Sequence, residues 1–461
     1  MYKRYHLETS PAPLSSTEMG KFVIRRNDNC FNCGRCLKNC IYEVHQRDER
    51  DRRKMAEPVS HRCKNCFACI QHCPQQALEM VRNEEYESLG NAYWTPQHIL
   101  TIWNEAEEGR IPVYGAGYRG RFKGSGFDAI WTDMSEIVRP TRDGIHGREY
   151  IATAVDLGRK LPLLSDFERL DDPHFLEIPV PMLFEANPEG RTAKNIIRAV
   201  VQAAGQVGTL AYLGPDDYFD ELEPYLPSIA FRFGLDQMAG MDSVPWPDVG
   251  LIEFILPEEF SFLEVDRILF RLRGLNPRTL LSLRVPNHDL SDSLFDLIKS
   301  SSVDMLNLRA DSRGRCSEGE LFIGDSIRKL HLSLIKRHVR DTITLLGQGG
   351  MAAAEHVPKA IICGCDGVSL DTPLLVALQA QFAGEAVSRN ASSFKLPSRF
   401  TVDWGVMRIT NLMASWRDQL LEVMGAMGLR EVRRMRGEMG RAMFQTDLEK
   451  EAFSEIAGYV S

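Results

Sequence analysis

Long apolar runs are missing from this sequence of 461 residues. No stretch approaches the roughly 18 apolar residues that a membrane-spanning helix needs, so no transmembrane segment is predicted. The first residues are not followed by an apolar run, so no export signal is visible. A positive net charge is also missing, because the formal value of -8 gives no general attraction to nucleic acid. We therefore expect a cytoplasmic protein without a nucleic-acid partner.

Cysteine is concentrated in one short segment. Eight of the eleven cysteines lie in two runs that share the spacing C-x2-C-x2-C-x3-C. Without an export signal, such crowding favours metal ligation over disulfides. The spacing is that of bacterial two-cluster ferredoxins, in which the fourth cysteine of each run ligates the other cluster. The predicted ligands are, for the first [4Fe–4S] cluster, Cys30, Cys33, Cys36 and Cys73, and for the second, Cys63, Cys66, Cys69 and Cys40.

Two zinc sites built from the same eight thiols are the alternative. Zinc does not require three cysteines at two-residue intervals followed by a fourth after three more residues, so we favour the clusters. Cys40 is followed by Ile41 where proline is usual, and this departure concerns the local turn because proline is not a ligand. Bound clusters supply one-electron transfer, which implies a donor and an acceptor.

A run of mixed charge, residues 46–54, separates the two cysteine runs. We interpret it as a solvated hairpin or loop, because alternating charges usually face water. A docking patch for an acidic redox partner is the alternative interpretation.

Short apolar runs alternate with helical patterns beyond residue 175. Candidate strands lie at 178–184, 209–213, 229–233, 251–256, 280–285, 305–308, 343–346 and 367–370, with helices at 192–204, 294–300 and 324–337. Eight strands with crossover helices predict an α/β fold, a (β/α)8 barrel of the TIM type. From Ile409 to Leu420 apolar residues recur at intervals of three and four, which predicts a helix packed on the core. The glycine-rich stretch 112–128 lacks the spacing of a dinucleotide fingerprint.

The length suggests two or three domains, and the patterns divide the chain into five segments. They are an irregular lead-in at 1–20, a small α+β two-cluster ferredoxin domain at 21–82, a connecting segment at 83–174, the barrel at 175–400, and a helical C-terminal extension at 401–461.

Three patches carry a more specific pattern: WTDMSEIVRPTRDGIHGREY at 131–150, LGQGG at 346–350 and IICGCDGVSL at 361–370. They resemble the glutamate-synthase-related proteins, the FMN-binding relatives of the glutamate synthase large subunit. The resemblance implies that the last two patches form the loops after barrel strands seven and eight, where FMN barrels hold the phosphate. It assigns to an FMN site the residues Gly347, Gln348, Gly349, Gly350 and Gly367. A glycine-rich surface turn is the alternative.

Several positions depart from that family. Residues 184–191, FEANPEGR, stand where the family has a small-residue loop against the flavin. Arg284 replaces a lysine expected on a mid-barrel strand, and Asp371 stands in the second phosphate loop, where a carboxylate repels phosphate unless a cation intervenes. The family's three-cysteine motif after the barrel strands is missing. An N-terminal nucleophilic cysteine is missing too, so we do not expect glutamine hydrolysis by this chain.

These observations predict an iron–sulfur electron-transfer subunit of a larger flavin-dependent oxidoreductase complex, with redox partner proteins in a hetero-oligomer. An electron-bifurcating assembly is the setting suggested by analogy alone. The alternative is a self-contained enzyme in which ferredoxin clusters feed a barrel-bound FMN, as in glutamate synthesis. Because of the departures, we do not expect glutamate synthase activity from the isolated chain. His146, Asp133 and Asp143 complete no catalytic constellation, and we expect structural roles for them.

Overall fold

The computed structural model describes residues 5–14, 19–111, 113–114, 117–118, 124–132, 151–159, 175–187, 193–234, 237, 249–257, 261–286, 290–299, 303–316, 321–383, 393–395 and 400–459. The chain divides into two compact units, a smaller one, Leu14–Ile99, and a larger one formed by Met1–Pro13 and Leu100–Ser461. No helix within these described ranges is long and apolar enough to cross a membrane. The finer boundaries expected from the sequence stay predictions.

The smaller unit is a two-stranded sheet with short helices. Its elements are β1 (Phe22–Arg26), α1 (Arg35–Asn39), α2 (Ala68–Gln71), β2 (Leu78–Arg82) and α3 (Glu84–Glu87). β1 and β2 pair antiparallel, which closes the cysteine segment between them. Ile24, Val44, Cys69 and Leu78 form a small buried core. A unit with so little apolar core usually depends on metal or another cross-link for its stability.

The two cysteine runs fold as an internal repeat with an offset of 33 residues. Residues with left-handed backbone dihedrals recur at the same offset, namely Asn32 with Asn65, Gly34 with Phe67, and Glu43 with Gln76. Between the repeats, Arg47 and Met55 bridge the two sides of a turn whose residues are mostly exposed. This turn is the solvated hairpin that the sequence favoured.

The larger unit begins with a helix and several short strands. They are α4 (Pro96–Glu108), β3 (Val113–Tyr114), β4 (Gly117–Tyr118), β5 (Ile130–Thr132), β6 (Val155–Gly158) and β7 (Phe175–Ile178). β3 pairs antiparallel with β4, and β6 with β7.

Eight parallel strands close into a barrel. They are β8 (Met182–Glu185), β9 (Ala211–Leu213), β10 (Ile229–Phe233), β11 (Leu251–Ile255), β12 (Leu280–Val285), β13 (Met305–Arg309), β14 (Thr344–Gln348) and β15 (Gly367–Leu370). β15 pairs with β8, and this last pairing closes the sheet. The barrel strands are almost wholly buried, as strands covered on both faces should be. The predicted barrel is confirmed.

Helices follow most of these strands. They are α5 (Lys194–Val207), α6 (Phe262–Leu275), α7 (Asp292–Lys299), α8 (Ile323–Lys336), α9 (His356–Cys363) and α10 (Thr372–Ala377). A 3-10 segment, Asp220–Ser228, lies between β9 and β10 and contains Pro224 and Pro227. Proline removes N–H donors and therefore disfavours a regular α-helix there.

The first barrel strand differs from its prediction. Residues 178–184 form two strands, because β7 ends at Ile178 and β8 begins at Met182. Pro179 and Pro181 lie between them, and proline cannot donate to a sheet ladder. β7 therefore pairs with β6 outside the barrel, and β8 alone enters it.

A long helix covers one side of the barrel, as the sequence predicted. The elements after the barrel are β16 (Gln381–Ala383), β17 (Ser393–Lys395), α11 (Val402–Ala426), β18 (Ala442–Phe444) and α12 (Gln445–Phe453). α11 packs on α5, where Gly405 allows close approach because an added Cβ would lie 3.0 Å from the Ala199 Cβ. Arg408 is fully buried and donates to the carbonyls of Ala377, Ala12 and Trp103.

A buried carboxyl group also joins α11 to α4. Glu105 is fully buried and accepts the indole N–H of Trp416 at 2.9 Å. Burial raises the pKa of Glu105 to about 8 in spite of this hydrogen bond, and Glu355 acts in the same direction. The carboxyl group is therefore protonated in the folded protein at neutral pH.

We predict that Glu105 makes the protein less stable as the pH rises. Its folded pKa exceeds the ordinary value of 4.5, so its contribution is complete below about pH 4.5 and is lost towards about pH 8. The free energy of unfolding should fall by at most ~1.4 kcal/mol per pH unit from this group. Glu105→Gln keeps an acceptor for Trp416 and removes the titration, so urea unfolding between pH 5 and 8 should show a smaller slope. Glu108→Gln, at an exposed position of α4, is the matched control, and equal slopes in all three proteins contradict the prediction.

Candidate functional site

Four cysteine thiols line one cavity of the smaller unit. Cys40 lies there with Cys63, Cys66 and Cys69, and Phe67 also borders this cavity. Burial raises the pKa of the Cys69 thiol to about 11, and Cys63, Cys40 and Cys66 all act in the same direction. The structure thus brings the fourth cysteine of the first run to three cysteines of the second run. This is the set expected for the second cluster.

Cys30, Cys33 and Cys36 form the other group. Burial raises the pKa of the Cys36 thiol, and the nearby Cys30 and Cys33 raise it further. Cys73 packs against the same small core as Cys36, and its sulfur accepts the N–H of Ala77 at 3.2 Å. Hydrogen bonds to sulfur are one of the means by which proteins tune cluster potentials. The assignment of Cys73 to this group stays a prediction.

The chemistry of the donors fits two iron–sulfur clusters. All eight donors are thiols, which suit soft metals and iron–sulfur clusters better than calcium or magnesium. Burial keeps the pKa of Cys36, Cys63 and Cys69 high, so binding of a metal would have to displace protons from these thiols. Cys33 and Cys66 are exposed. Each group therefore reaches the surface of the unit through one thiol.

Charged side chains fill the interior of the barrel. Arg232 donates to the two oxygens of Glu185 at 2.5 and 2.7 Å, and its Nε donates to Glu253 at 2.6 Å. The hydroxyl of Ser369 donates to Glu185 at 2.7 Å. The Arg232 guanidinium also lies 4.4 Å from the centre of the Tyr212 ring, a cation–π distance. Strands β8, β9, β10, β11 and β15 are tied together through these side chains.

This network compensates the charge of Glu185. Burial opposes ionisation of Glu185, yet the Arg232 guanidinium outweighs it and holds the pKa of the carboxyl below its usual value. Glu253 accepts further hydrogen bonds from Ser282 at 3.1 Å and Asn307 at 2.9 Å. Glu185 is therefore ionised, and both carboxyl groups have hydrogen-bond donors in the barrel interior. Arg232 and Glu253 were not among the site residues predicted from the sequence, although a lone charged residue within an apolar strand is a usable signal.

Arg284 lies in the same interior and has no carboxylate partner among the residues that the structure describes. Its NH2 group donates to the amide oxygen of Gln348 at 2.6 Å, while its Nε has no partner among the described residues. Burial, and after it the repulsion of Arg232, lowers the pKa of Arg284 to about 9. A buried guanidinium paired only with a neutral amide remains poorly compensated, and an anion would stabilise it.

The glycines expected in the FMN site occupy different places. Gly349 and Gly350 lie in the loop after β14 with φ of 98° and 71°, and a Cβ at Gly349 would stand 2.5 Å from the Asp311 carbonyl oxygen. Gly347 and Gln348 are the last residues of β14, and a Cβ at Gly347 would meet the side chain of Ile327.

Gly367 does not join this loop. It is the first residue of β15 and therefore stands at the strand end remote from the loops that follow β14 and β15. A Cβ at Gly367 would lie 2.9 Å from the carbonyl oxygen of Pro181, so close packing against the segment before β8 explains the glycine. The assignment of Gly367 to a phosphate loop is corrected on this ground.

The side chains of His356 and Asp371 form hydrogen bonds at the loops that follow β14 and β15. His356 Nδ1 accepts the N–H of Ala352 at 3.1 Å, and its Nε2 bonds to Asp128 at 2.9 Å, which fixes the loop after β14. Burial lowers the pKa of His356, so the ring is neutral with its proton on Nε2. Asp371 accepts the N–H of Thr372 at 2.5 Å, and burial raises its pKa to about 6. The second loop therefore offers a carboxyl group that is partly protonated near neutral pH.

Some positions singled out in the sequence lie outside the described residues. They are Asp133, Asp143 and His146 of the first family-like patch, and residues 188–191 of the loop after β8. Phe184 and Glu185 of that loop sequence belong to β8. Because side chains alternate along a strand and Glu185 points inward, Phe184 points towards the helices and not into the barrel.

A two-cluster ferredoxin unit and a closed parallel barrel together define an iron–sulfur oxidoreductase component. Residues 22–74 match the family described as 4Fe-4S dicluster domain. The archaeal-type glutamate synthase (NADPH) of Dehalococcoides mccartyi is 24% identical over 477 residues, which cover 90% of this chain and 94% of the relative. The archaeal glutamate synthase (NADPH) of Archaeoglobus fulgidus is 23% identical over 481 residues, 90% of this chain and 93% of the relative. Relatives of the glutamate synthase type thus span the chain, which confirms the resemblance seen in the sequence.

Among solved structures, mandelate oxidase with benzoyl-formic acid aligns with a TM-score of 0.44 at 14% identity, covering 77% of this chain and 91% of that one.

We predict that each fourth cysteine acts with the other run. If the ligation is crossed, Cys73→Ser should lose the same electron paramagnetic resonance signal as Cys36→Ser, because both remove a ligand of the first cluster. Cys40→Ser should in turn match Cys69→Ser. Cys316→Ser, a buried cysteine outside both runs, is the control and should keep both signals. A Cys73→Ser spectrum that matches Cys69→Ser would show that the ligation is not crossed.

Proposed function

We propose that this chain is an electron-transfer component of a flavin-dependent oxidoreductase complex. The observation that carries the proposal is the gathering of thiols within a unit that matches the dicluster domain, with Cys40 brought across to Cys63, Cys66 and Cys69. When bound, [4Fe–4S] clusters supply one-electron transfer at low potential. The chain's own part is to hold the clusters, to shield them partly from water, and to leave Cys33 and Cys66 near the surface.

The barrel offers residues for an anionic flavin cofactor. Arg284 and Gln348 lie at one point of its interior, and Gly349 and Gly350 begin the loop that follows β14. A phosphate would meet backbone N–H groups of this loop, whose curvature depends on the positive φ of both glycines. Arg284 would supply the positive charge near the flavin ring. FMN bound by these residues would exchange electrons in units of one or two.

Asp371 argues against a second phosphate contact at the loop after β15. Its carboxyl group already caps α10 through the N–H of Thr372, which is the amide that a phosphate would need. At neutral pH the ionised fraction of Asp371 would also repel the phosphate. The proposed grip on the phosphate therefore rests on Gly349 and Gly350.

The relatives support a second candidate, a self-contained enzyme of the glutamate synthase type. Proteins with that name match 90% of this chain. Arg232 and Ser369 compensate the negative charge of Glu185. Glu185 would therefore repel a carboxylate substrate less than its sequence position suggested. Arg232 is occupied by two carboxylates, however, and is not available to bind a substrate with two carboxylates of its own. We therefore favour the electron-transfer component, working with redox partner proteins in a hetero-oligomeric complex, of which an electron-bifurcating assembly is one form.

We predict that flavin binding depends on Gly350. Gly350→Glu places a bulky anion in the loop after β14, and the purified variant should retain less than about a tenth of the FMN bound by the wild-type chain. Gly440→Glu, where a side chain would meet nothing within 4 Å, is the matched control and should retain FMN. Cluster signals should be unchanged in both variants. FMN retained by Gly350→Glu would place the cofactor elsewhere, and a wild-type chain that binds no FMN would leave the barrel a docking scaffold.

We also predict that the isolated chain makes no glutamate from 2-oxoglutarate and ammonia, even with dithionite as electron donor. An electron-transfer component needs partner subunits for its catalysis, whereas a self-contained synthase does not. An anaerobic glutamate assay of the cluster-loaded, FMN-supplied chain provides the measurement. Turnover above the rate without protein would contradict the proposed function and establish the second candidate.

A further inference from the structure

Exposed apolar side chains surround the cysteines of the smaller unit. In its described residues the exposed large hydrophobic side chains are Phe31, Leu37, Ile41 and Phe67. Each is the immediate neighbour of a cysteine in one of the two runs. A contiguous patch of large exposed apolar side chains often marks an interaction site. Apolar exposure in this unit is therefore concentrated around the cysteines.

One of these side chains borders the cavity of the second group, and another follows a cysteine of that cavity in the sequence. Ile41 follows Cys40 and is 82% exposed, and Phe67 follows Cys66 and is 47% exposed. Phe67 borders the cavity itself, together with Lys64. We call Ile41, Lys64 and Phe67 the cavity rim. It combines two exposed apolar side chains with a positive charge next to an exposed thiol, Cys66.

The backbone at Phe67 is strained for an aromatic residue. Its φ is 60°, a left-handed conformation in which a Cβ is unfavourable. The equivalent residue of the other repeat is Gly34, with φ of 74°, which adopts this conformation without a penalty. At position 67 the chain thus has a phenylalanine whose backbone is unfavourable and whose ring is half exposed. The left-handed backbone does not favour a phenylalanine, and the exposed half of its ring is open to contact with a partner.

Charge indicates the kind of partner. Residues 22–74 hold eleven Lys and Arg against six Asp and Glu, whereas the whole chain has a net charge of -8. Ligated clusters bring negative charge of their own, so the position of the basic residues matters more than their sum. Lys64 is on the cavity rim, Arg62 precedes Cys63, and Lys38 is exposed on α1 two residues before Cys40. Arg62 forms an ion pair with Glu43 at 3.1 Å, so these two residues together add no net charge, and Lys38 and Lys64 remain as the basic residues near these cysteines.

We propose that the cavity rim is the docking surface for an acidic one-electron carrier protein, which would bind over the cluster of Cys40, Cys63, Cys66 and Cys69. Ile41 and Phe67 supply the apolar centre of the contact, and the surrounding basic residues attract the acidic partner. The proposal rests on the proposed function because it gives the electron-transfer component its partner class. The hairpin at 46–54, although rich in arginine, lies outside this surface.

The test measures binding of the cluster-loaded full chain to an acidic two-[4Fe–4S] ferredoxin by calorimetry. We expect the dissociation constant to rise about tenfold between 50 and 250 mM salt, because screening weakens attraction between exposed charges. Phe67→Gly should weaken binding about fivefold or more, while its thermal unfolding midpoint equals or exceeds that of the wild type, because the substitution relieves the backbone strain. Lys64→Gln should weaken binding about threefold.

Two matched controls locate the surface. Lys54→Gln removes the same charge from the exposed hairpin, and Phe31→Ser removes an exposed ring beside the other cysteine group. Both should change the dissociation constant by less than about twofold. Cytochrome c, a basic carrier, should not bind. Controls that weaken binding as much as the rim variants would overturn the location of the surface, and equal binding of cytochrome c would overturn the partner class.

The iron and sulfide content of the chain is measured first, so that failure of the proposed function can be distinguished from failure of the docking proposal. A chain that holds no clusters contradicts the proposed function itself. A loaded chain that does not bind the acidic ferredoxin contradicts only the docking proposal. Light scattering shows whether a second copy of this chain occupies the cavity rim. A dimer that dissociates in the Phe67→Gly variant would overturn the proposal that the partner is an acidic carrier. A Phe67→Gly variant that unfolds at lower temperature or loses a cluster would assign Phe67 a structural role and also overturn the proposal.

Discussion

Four thiols drawn from both halves of an internal repeat must meet at one point, and the smaller unit depends on this constraint. Cys40 comes from the first half and lines a cavity with three cysteines of the second half. The predicted crossed ligand set would tie the two halves together, because neither cluster site would then be complete within one repeat. The left-handed residues at equal positions of the two halves give the loops the tight curvature that three closely spaced thiols require. Metal binding and folding of this unit should therefore be one event.

The interior of the barrel contains charged side chains that are buried among the strands. Among the described residues of its interior, Arg232 is matched with the carboxyl groups of Glu185 and Glu253, while the guanidinium of Arg284 donates to the amide of Gln348 alone. Buried ion pairs of this kind add little net stability, but removal of one partner leaves an uncompensated charge. This network of side chains connects strands β8 to β15 and fixes the interior. It leaves the positive charge of Arg284 without a compensating carboxylate among the described residues. That remaining charge is the reason to expect an anionic cofactor at this end of the barrel.

Much of the fold followed from local patterns in the sequence. Each barrel strand is an apolar run bounded by turn residues, so all eight were located, and only Pro179 and Pro181 shifted the first of them. The cysteine spacing is equally local. Arg232 and Glu253 were missed because their roles depend on pairing between strands far apart in sequence. Gly367 was misplaced because a glycine required for close packing and one that admits a phosphate look alike in a sequence.

The claim that this chain holds two iron–sulfur clusters is tested most directly by the iron and acid-labile sulfide content of the anaerobically purified chain. Two complete sets of four thiols predict about eight iron and about eight sulfide per chain. The variant Cys316→Ser should give the same values, because that cysteine lies outside both sets. About four of each per chain, or stoichiometric zinc in place of iron, would contradict the claim.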